Sequence, residues 1–148
     1  MDTVGETVEW GQGSEIVGTP FREVVSATET EGRLVVLAVD MPPRLVVDEH
    51  VHDDEDQVTV VIDGRVGCRV DGVERIAGPG GVLIAPKGAS HQIWNAGDGF
   101  ARVLELYTPA GFEQVFAAAG ARAGAGATAA GSDYARARSE LRPGTDTD

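Results

Sequence analysis

Hydrophobic and polar residues alternate with a period of two over much of the chain between Val24 and Val103. Short alternating runs that end at Gly, Pro or Asp are typical of β-strands joined by turns. The predicted strands are 33–39, 57–62, 65–70, 73–76, 82–85, 91–95 and 101–107, after a looser alternation over 23–30. Asp-Gly pairs at 63–64 and 71–72 predict tight hairpin turns. The spacing indicates an antiparallel sandwich or barrel, because no helical pattern alternates with these strands.

The two ends of the chain lack this alternation. We expect residues 1–22 to form an N-terminal arm and residues 23–110 to form the β-barrel. Residues 111–148 are expected to form a short helix followed by a flexible Ala/Gly-rich tail. Within that segment, apolar residues recur at helical spacing over 112–119, Gly120 is the expected stop, and 132–141 can form a second short helix.

Composition narrows the class of protein. A chain of 148 residues with 42% hydrophobic but only 5% aromatic residues predicts one domain with an aliphatic core. Its single cysteine, Cys68, excludes an intrachain disulfide and is expected to be a small core residue. We expect a cytoplasmic protein, because the sequence has neither a membrane-spanning apolar run nor a signal peptide. The net charge of −12 disfavours nucleic acid as a partner.

Histidine is the residue type that points to chemistry. The chain has three histidines, His50, His52 and His91. Residues two apart on a strand share a face, so His50 and His52 can aim at one point, and a strand carrying His91 can supply a third nitrogen. Three converging neutral imidazoles are a typical metal-ligand set. The sequence therefore predicts a metal pocket inside a β-barrel.

Acidic residues flank the first two histidines. Two interpretations are open: a solvated loop, or a negatively charged lip that raises the local concentration of cations. These residues are Asp48, Glu49, Asp53, Asp54, Glu55 and Asp56.

Two motifs resemble those of the cupin superfamily. The segment from His50 to Gln57, which ends six residues before Asp63, is similar to the first cupin motif. The second motif is matched at every position, with residues Gly80, Pro86, Gly88, His91 and Asn95. The resemblance implies an all-β fold, an antiparallel double-stranded jelly-roll β-barrel with a short C-terminal helical tail, that is commonly a homodimer. It also implies one divalent transition metal per chain (Fe, Mn, Ni, Co, Cu or Zn).

One position departs from the family pattern. Where cupins most often have a glutamate ligand, seven residues before the hairpin glycine Gly64, this chain has Gln57. An amide oxygen is a neutral and weaker ligand, and Gln57 could instead be a polar residue of the pocket. Without that carboxylate the site lacks a general base beside the metal. Glu105 is a candidate catalytic carboxylate if it points inward.

Further residues are assigned by strand alternation. Thr59, Val61 and Ile93 are expected to line the pocket. Asn95 could donate a hydrogen bond near the site or close a turn, and Trp94 is expected to pack outside the barrel.

Several functions fit these residues. The main hypothesis is an oxygenase-like or dioxygenase-like enzyme acting on a small chelating molecule such as an enol, a phenol or a polyketide-like compound. The alternatives are a non-redox metal-dependent isomerase or cyclase, and a non-catalytic protein that binds a metal or a small molecule. In each case the expected partner is a small molecule, not nucleic acid or a membrane.

Overall fold

The structure is a computed structural model that describes residues 7–16 and 19–123. Within these residues the chain forms ten β-strands followed by one helix. The strands are β1 (Ser14–Glu15), β2 (Phe21–Val25), β3 (Val35–Met41), β4 (Val46–Val51), β5 (Asp56–Asp63), β6 (Val66–Val70), β7 (Val73–Ala77), β8 (Val82–Ala85), β9 (Ser90–Asn95) and β10 (Ala101–Thr108), and the helix is α1 (Glu113–Ala123).

The strands form two antiparallel sheets. The first has six strands in the order β1-β2-β3-β10-β5-β8, and the second has four in the order β4-β9-β6-β7. Their inner faces enclose an aliphatic core, with fully buried Val35, Leu37, Val61, Val66 and Val103. This two-sheet jelly roll with a C-terminal helix confirms the predicted all-β architecture.

One of the two Asp-Gly pairs closes a hairpin as predicted, because Asp71-Gly72 joins β6 to its partner β7. The predicted hairpin at Asp63-Gly64 is wrong, since this turn carries the chain from β5 in the six-stranded sheet to β6 in the four-stranded sheet. Gly64 and Gly72 both have a φ of 81°, a left-handed conformation that glycine adopts without steric cost. At Gly64 a side chain is also excluded by space, because an added Cβ would lie 2.8 Å from the Cα of Ala101. The first turn therefore passes the chain from one sheet to the other, and the second fixes the register of β6 and β7.

Three expectations about the ends of strands and helices need correction. The loose alternation over 23–30 is not one strand, since β2 ends at Val25 and turns follow. The expected arm contributes strand structure, because β1 pairs with β2. Gly120 does not end α1, which continues to Ala123; flanking alanines favour the helix and offset the modest cost of an interior glycine.

Residues 124–148, including the predicted helix over 132–141, lie outside the described residues. Among the residues that the structure describes, no helix has the length and apolar character needed to cross a membrane.

Candidate metal centre

His50 faces the interior because β4 is irregular. Val47 pairs with Ile93 and His50 pairs with His91, so between these pairs β4 advances by three residues and β9 by two. The extra residue is a β-bulge, and it leaves both Asp48 and Glu49 exposed. Strict alternation from buried Val47 would have turned His50 outward. The bulge therefore brings this histidine back to the inner face.

His52 and His91 are held together by a shared turn. His52 follows the last residue of β4, and its backbone carbonyl accepts a hydrogen bond of 2.8 Å from the Gly88 N–H. Gly88 has a φ of 83°, in the turn that leads from Pro86 into β9. Both imidazoles are 1% exposed. The predicted Pro-Gly turn therefore presents His91 and also anchors the backbone beside His52.

The three histidines converge as predicted. Their candidate ligand nitrogens all lie within 4.8 Å of one another. The Nε2 atoms of His50 and His52 are 3.2 Å apart. On the outer edges of the rings, His50 Nδ1 donates to the Asp48 carbonyl at 2.7 Å and His91 Nδ1 donates to the Ala89 carbonyl at 3.3 Å. A carbonyl can only accept, so in the neutral rings these two Nε2 atoms carry lone pairs.

Gln57 adds an oxygen to the same point. Its Oε1 lies 2.8 Å from His52 Nε2 and 3.0 Å from His91 Nε2. Its amide Nε2 points the other way and donates to Glu105 Oε2 at 2.7 Å. A carboxylate can only accept, so this hydrogen bond sets which end of the amide faces the imidazoles.

This donor set fits a cation. The Nε2 atoms of His50 and His91 and the amide oxygen of Gln57 present lone pairs to one small buried volume, and they repel each other unless a positive charge lies between them. Histidine nitrogen and amide oxygen are ligands for several divalent transition ions. His50, His52, His91 and Gln57 are therefore the residues that would hold a metal.

The side chain of Glu105 points inward, an orientation that the sequence had left open. It lies on β10 between Thr59 of β5 and Leu37 of β3, and it is 4% exposed. Thr59 Oγ1 donates to its Oε2 at 2.6 Å, beside the bond from Gln57. Burial raises the pKa of the Glu105 carboxyl to about 7, while the hydrogen bonds from Thr59 and Gln57 lower it.

Of the residues that were predicted to line the pocket, only some lie beside the cavity that the structure shows. A cavity opens beside His50 and Gln57, and Ile93 lines it. Its lining is Phe21, Val39, Met41, Leu45, Val47, His50, Gln57, Ile93, Glu105, Tyr107 and Phe116. Thr59 and Val61 are buried but do not line this cavity. Asn95 donates to the carbonyls of Met41 and Gly99 at 3.0 and 2.8 Å, which is the turn-closing role.

The sequence did not predict the aromatic cluster that covers the histidines. The Phe112 ring lies edge-on to His52 with centroids 3.7 Å apart, and Phe116 stacks on Phe21 at 4.1 Å. Tyr107 contacts His52 at 5.3 Å. These four residues are half of the eight aromatic residues in the chain. The low number of aromatic residues in the rest of the chain is the signal in the sequence that could have indicated this cluster.

Several residues of the acidic segment have structural partners. Glu49 accepts a hydrogen bond from Ser90 Oγ at 2.7 Å, and Asp56 accepts one from the Lys87 N–H at 2.8 Å. Glu55 Oε2 lies 4.0 Å from His52 Nδ1. These carboxylates therefore stabilise the two turns that carry the histidines. Neither of the two interpretations drawn from the sequence, a solvated loop or a negatively charged lip, included this role.

Cys68 and Trp94 behave as predicted. Cys68 is 2% exposed, and burial together with the nearby Glu105 carboxylate raises the pKa of its thiol to about 11. Trp94 lies on the outer face of β9 against Gly67, where an added Cβ would overlap the indole ring. Neither residue belongs to the site.

The motifs and this geometry agree with a comparison with protein families. The cupin-domain family model matches residues 37–107, which include all three histidines, Gln57 and Glu105. The chain belongs to the cupin superfamily. No curated protein matches it in sequence.

Solved structures show the same cupin fold. The chain is 18% identical to the Cnp3 cupin domain of Schizosaccharomyces pombe, with a TM-score of 0.56, over 64% of this chain and 66% of that one. It is 23% identical to KdgF from a Halomonas species, with a TM-score of 0.57, over 68% and 86%. It is 24% identical to TT1209 from Thermus thermophilus, with a TM-score of 0.58, over 70% and 97%. At these identities the likeness establishes the fold and leaves the activity open.

Proposed function

We propose that this cupin is a metal-dependent enzyme that acts on a small, largely apolar organic molecule carrying oxygen atoms. The observation that carries the proposal is the set of three imidazole nitrogens and one amide oxygen at the edge of an apolar cavity. A divalent transition ion supplies Lewis acidity there and, when it is redox-active, electron transfer.

Glu105 is a positioning residue in this proposal. Its hydrogen bond to the Gln57 amide holds Oε1 toward the imidazoles, at 2.7 Å from donor to acceptor. The chain thereby places a carboxylate one hydrogen bond away from the ligand position where most cupins have a glutamate. The site keeps a buried acidic group, but the group that faces the metal position is neutral.

The cavity supports an apolar or aromatic substrate. Seven of its lining residues are aliphatic, thioether or phenyl groups: Phe21, Val39, Met41, Leu45, Val47, Ile93 and Phe116. A hydroxyl or enol oxygen could approach His50 and Gln57 while an apolar body contacts those side chains. This arrangement favours an enol or a phenol over a phosphorylated sugar, because the lining includes no lysine or arginine. Oxygenase-like chemistry is our main expectation.

The size of the cavity favours a second candidate, a non-catalytic binder. The cavity is small, with room for roughly one water molecule. A substrate would have to displace Phe116 or the neighbouring Phe112. A protein that only holds a metal ion needs no such movement.

A substrate screen with a matched variant separates the two functions. The protein, loaded in turn with Fe(II), Mn(II), Ni(II) and Zn(II), is incubated with enols, diketones and phenols while oxygen uptake and products are measured. An enzyme gives turnover that His91→Ala removes. Metal bound at one ion per chain without turnover of any compound supports the binder, and turnover that survives in His91→Ala contradicts a role for this centre.

A further inference from the structure

The two sheets end beside each other along one side of the barrel. β7 is the last strand of the four-stranded sheet, and β8 is the last strand of the six-stranded sheet. The chain passes from one to the other through residues 78–81. Because these two edge strands belong to different sheets, the space between the sheets opens to solvent at this side.

A cleft of about 230 Å³ lies at this opening, and we call it the edge cleft. Val70 and Val73 line it from β6 and β7, and Leu83 lines it from β8. An engineered protein cavity of about 150 Å³ binds benzene, so the edge cleft has room for a molecule with one ring or a short chain. The cavity beside the metal centre, in contrast, has room for roughly one water molecule.

Arg75 gives the edge cleft a positive charge. It pairs with Cys68 across β6 and β7, and residues that face each other in an antiparallel pair lie on the same side of the sheet. Cys68 belongs to the core, so the side chain of Arg75 starts on the inner face. Its Nη1 donates to the Glu74 carbonyl at 2.8 Å, and Arg75 takes part in none of the ion pairs among the residues that the structure describes. A guanidinium has five N–H donors, which leaves donors for a ligand.

We propose that the edge cleft binds a small apolar carboxylic acid, with its carboxylate on Arg75 and its apolar body between β6–β7 and β8. The planar guanidinium matches a carboxylate through two parallel hydrogen bonds. Of the residues that line the cleft, Arg75 alone is charged, so a ligand with one negative charge is neutralised. A phosphate dianion would keep an excess charge beside a chain whose net charge is −12.

The edge cleft is separate from the metal centre, although both lie between the sheets. Val70 pairs with His91 and Leu83 pairs with Thr59, so the two sites are neighbours along β6 and β8. The lining of the edge cleft includes neither a histidine nor Gln57. Binding there needs no metal ion, and the inference does not depend on the proposed enzymatic function.

An NMR titration of the full chain tests the proposal with two acids and their neutral amides. Phenylacetate and hexanoate are added to the protein as isolated and to protein treated with a chelator, with phenylacetamide and hexanamide as controls. We expect a Kd below about 1 mM for at least one acid and binding at least about 10-fold weaker for its amide, because the charge-assisted hydrogen bonds are lost. The affinity should be the same within a few-fold with and without the chelator.

Two arginine variants form a matched pair. Arg75→Gln removes the charge from the edge cleft and should weaken binding of the acid at least about 10-fold. Arg69→Gln removes a charge from the outer face of β6, where Arg69 pairs with Glu74, and should bind like wild type. Val73→Trp is a second test, since its indole would fill the cleft and should abolish binding. Val73 is 51% exposed, so its replacement should not affect folding, which the NMR spectrum of each variant checks.

Four results would overturn the proposal. The first is the absence of binding by either acid up to about 20 mM, and the second is equal binding of an acid and its amide. The third is equal weakening in Arg75→Gln and Arg69→Gln, or unchanged binding in Val73→Trp. The fourth is binding that the chelator removes, which would place the carboxylate on an ion at the histidines instead of on Arg75.

Discussion

The two sheets contribute to the metal centre in different ways. The four-stranded sheet provides His50 and His91, and the chain continues from β4 into His52; two of these rings are oriented by backbone carbonyls. The six-stranded sheet provides Gln57, which is oriented by the buried carboxylate of Glu105. On the histidine side of the metal centre, the ligands are therefore oriented by neutral groups of the main chain. On the Gln57 side, the ligand is oriented by an acidic side chain in the core.

This difference predicts how a substitution on each side affects metal affinity and stability. A change on the histidine side removes a ligand and leaves the surrounding hydrogen bonds of the backbone in place. A change on the Gln57 side disturbs a buried acidic group, so it should affect stability as well as metal affinity.

Replacing a histidine should have the largest effect on metal binding. His91→Ala removes a nitrogen from the centre, and we expect metal affinity to fall at least about 100-fold while the fold is kept. Metal content after dialysis, measured by elemental analysis, checks this. Gln92→Ala is the control, because the neighbouring residue on β9 faces away from the site. Equal metal content in wild type and His91→Ala would remove His91 from the ligand set.

Replacing the amide tests the other side. Gln57→Glu loses the donor to Glu105 and brings two carboxyl groups together in the core. We expect the free energy of unfolding of the metal-free protein to fall by about 2–4 kcal/mol. Denaturant titration in the presence of a chelator measures this change. The double variant Gln57→Glu/Glu105→Gln restores one donor and one carboxylate and should recover most of the loss; no recovery would contradict the proposed pairing.

Neutralising Glu105 should have a smaller effect on the metal. In Glu105→Gln, the new amide can donate to Gln57 Oε1 and turn it away from the imidazoles. We expect metal affinity to fall about 10-fold to 100-fold, as is usual for residues that orient a ligand. Competition with a chromophoric chelator gives the affinity. Thr59→Ser, which keeps a hydroxyl donor, should stay within a few-fold of wild type, and an unchanged affinity in Glu105→Gln would make Gln57 independent of it.

The smallest effect is expected for the reactivity of Cys68. The rate at which its thiol is alkylated measures how readily the interior between the two sheets opens. With a pKa of about 11, roughly one thiol in a thousand is ionised at pH 8, and the side chain is 2% exposed. Labelling of the native protein by an alkylating reagent should be at least about 100-fold slower than in denaturant. Fast labelling of the native protein would show that the interior between the sheets opens readily.

The sequence predicted the histidine side better than the Gln57 side. Spacing of two placed His50 and His52 together, although the result also depends on a bulge that no residue type announces. The Pro-Gly turn placed His91. In contrast, whether Glu105 faces in or out depends on the pairing of β10 with β5, which is a long-range register. The aromatic cover over His52 depends on how α1 docks, and periodicity within the helix does not encode that position.

Anomalous diffraction from crystals grown with Co(II) tests the central claim most directly. The account predicts one strong peak within bonding distance of Nε2 of His50, His52 and His91, with Gln57 Oε1 facing it and the Gln57 amide still bonded to Glu105. A peak at the acidic segment 48–56 instead, or histidine rings turned away from any bound ion, would contradict it.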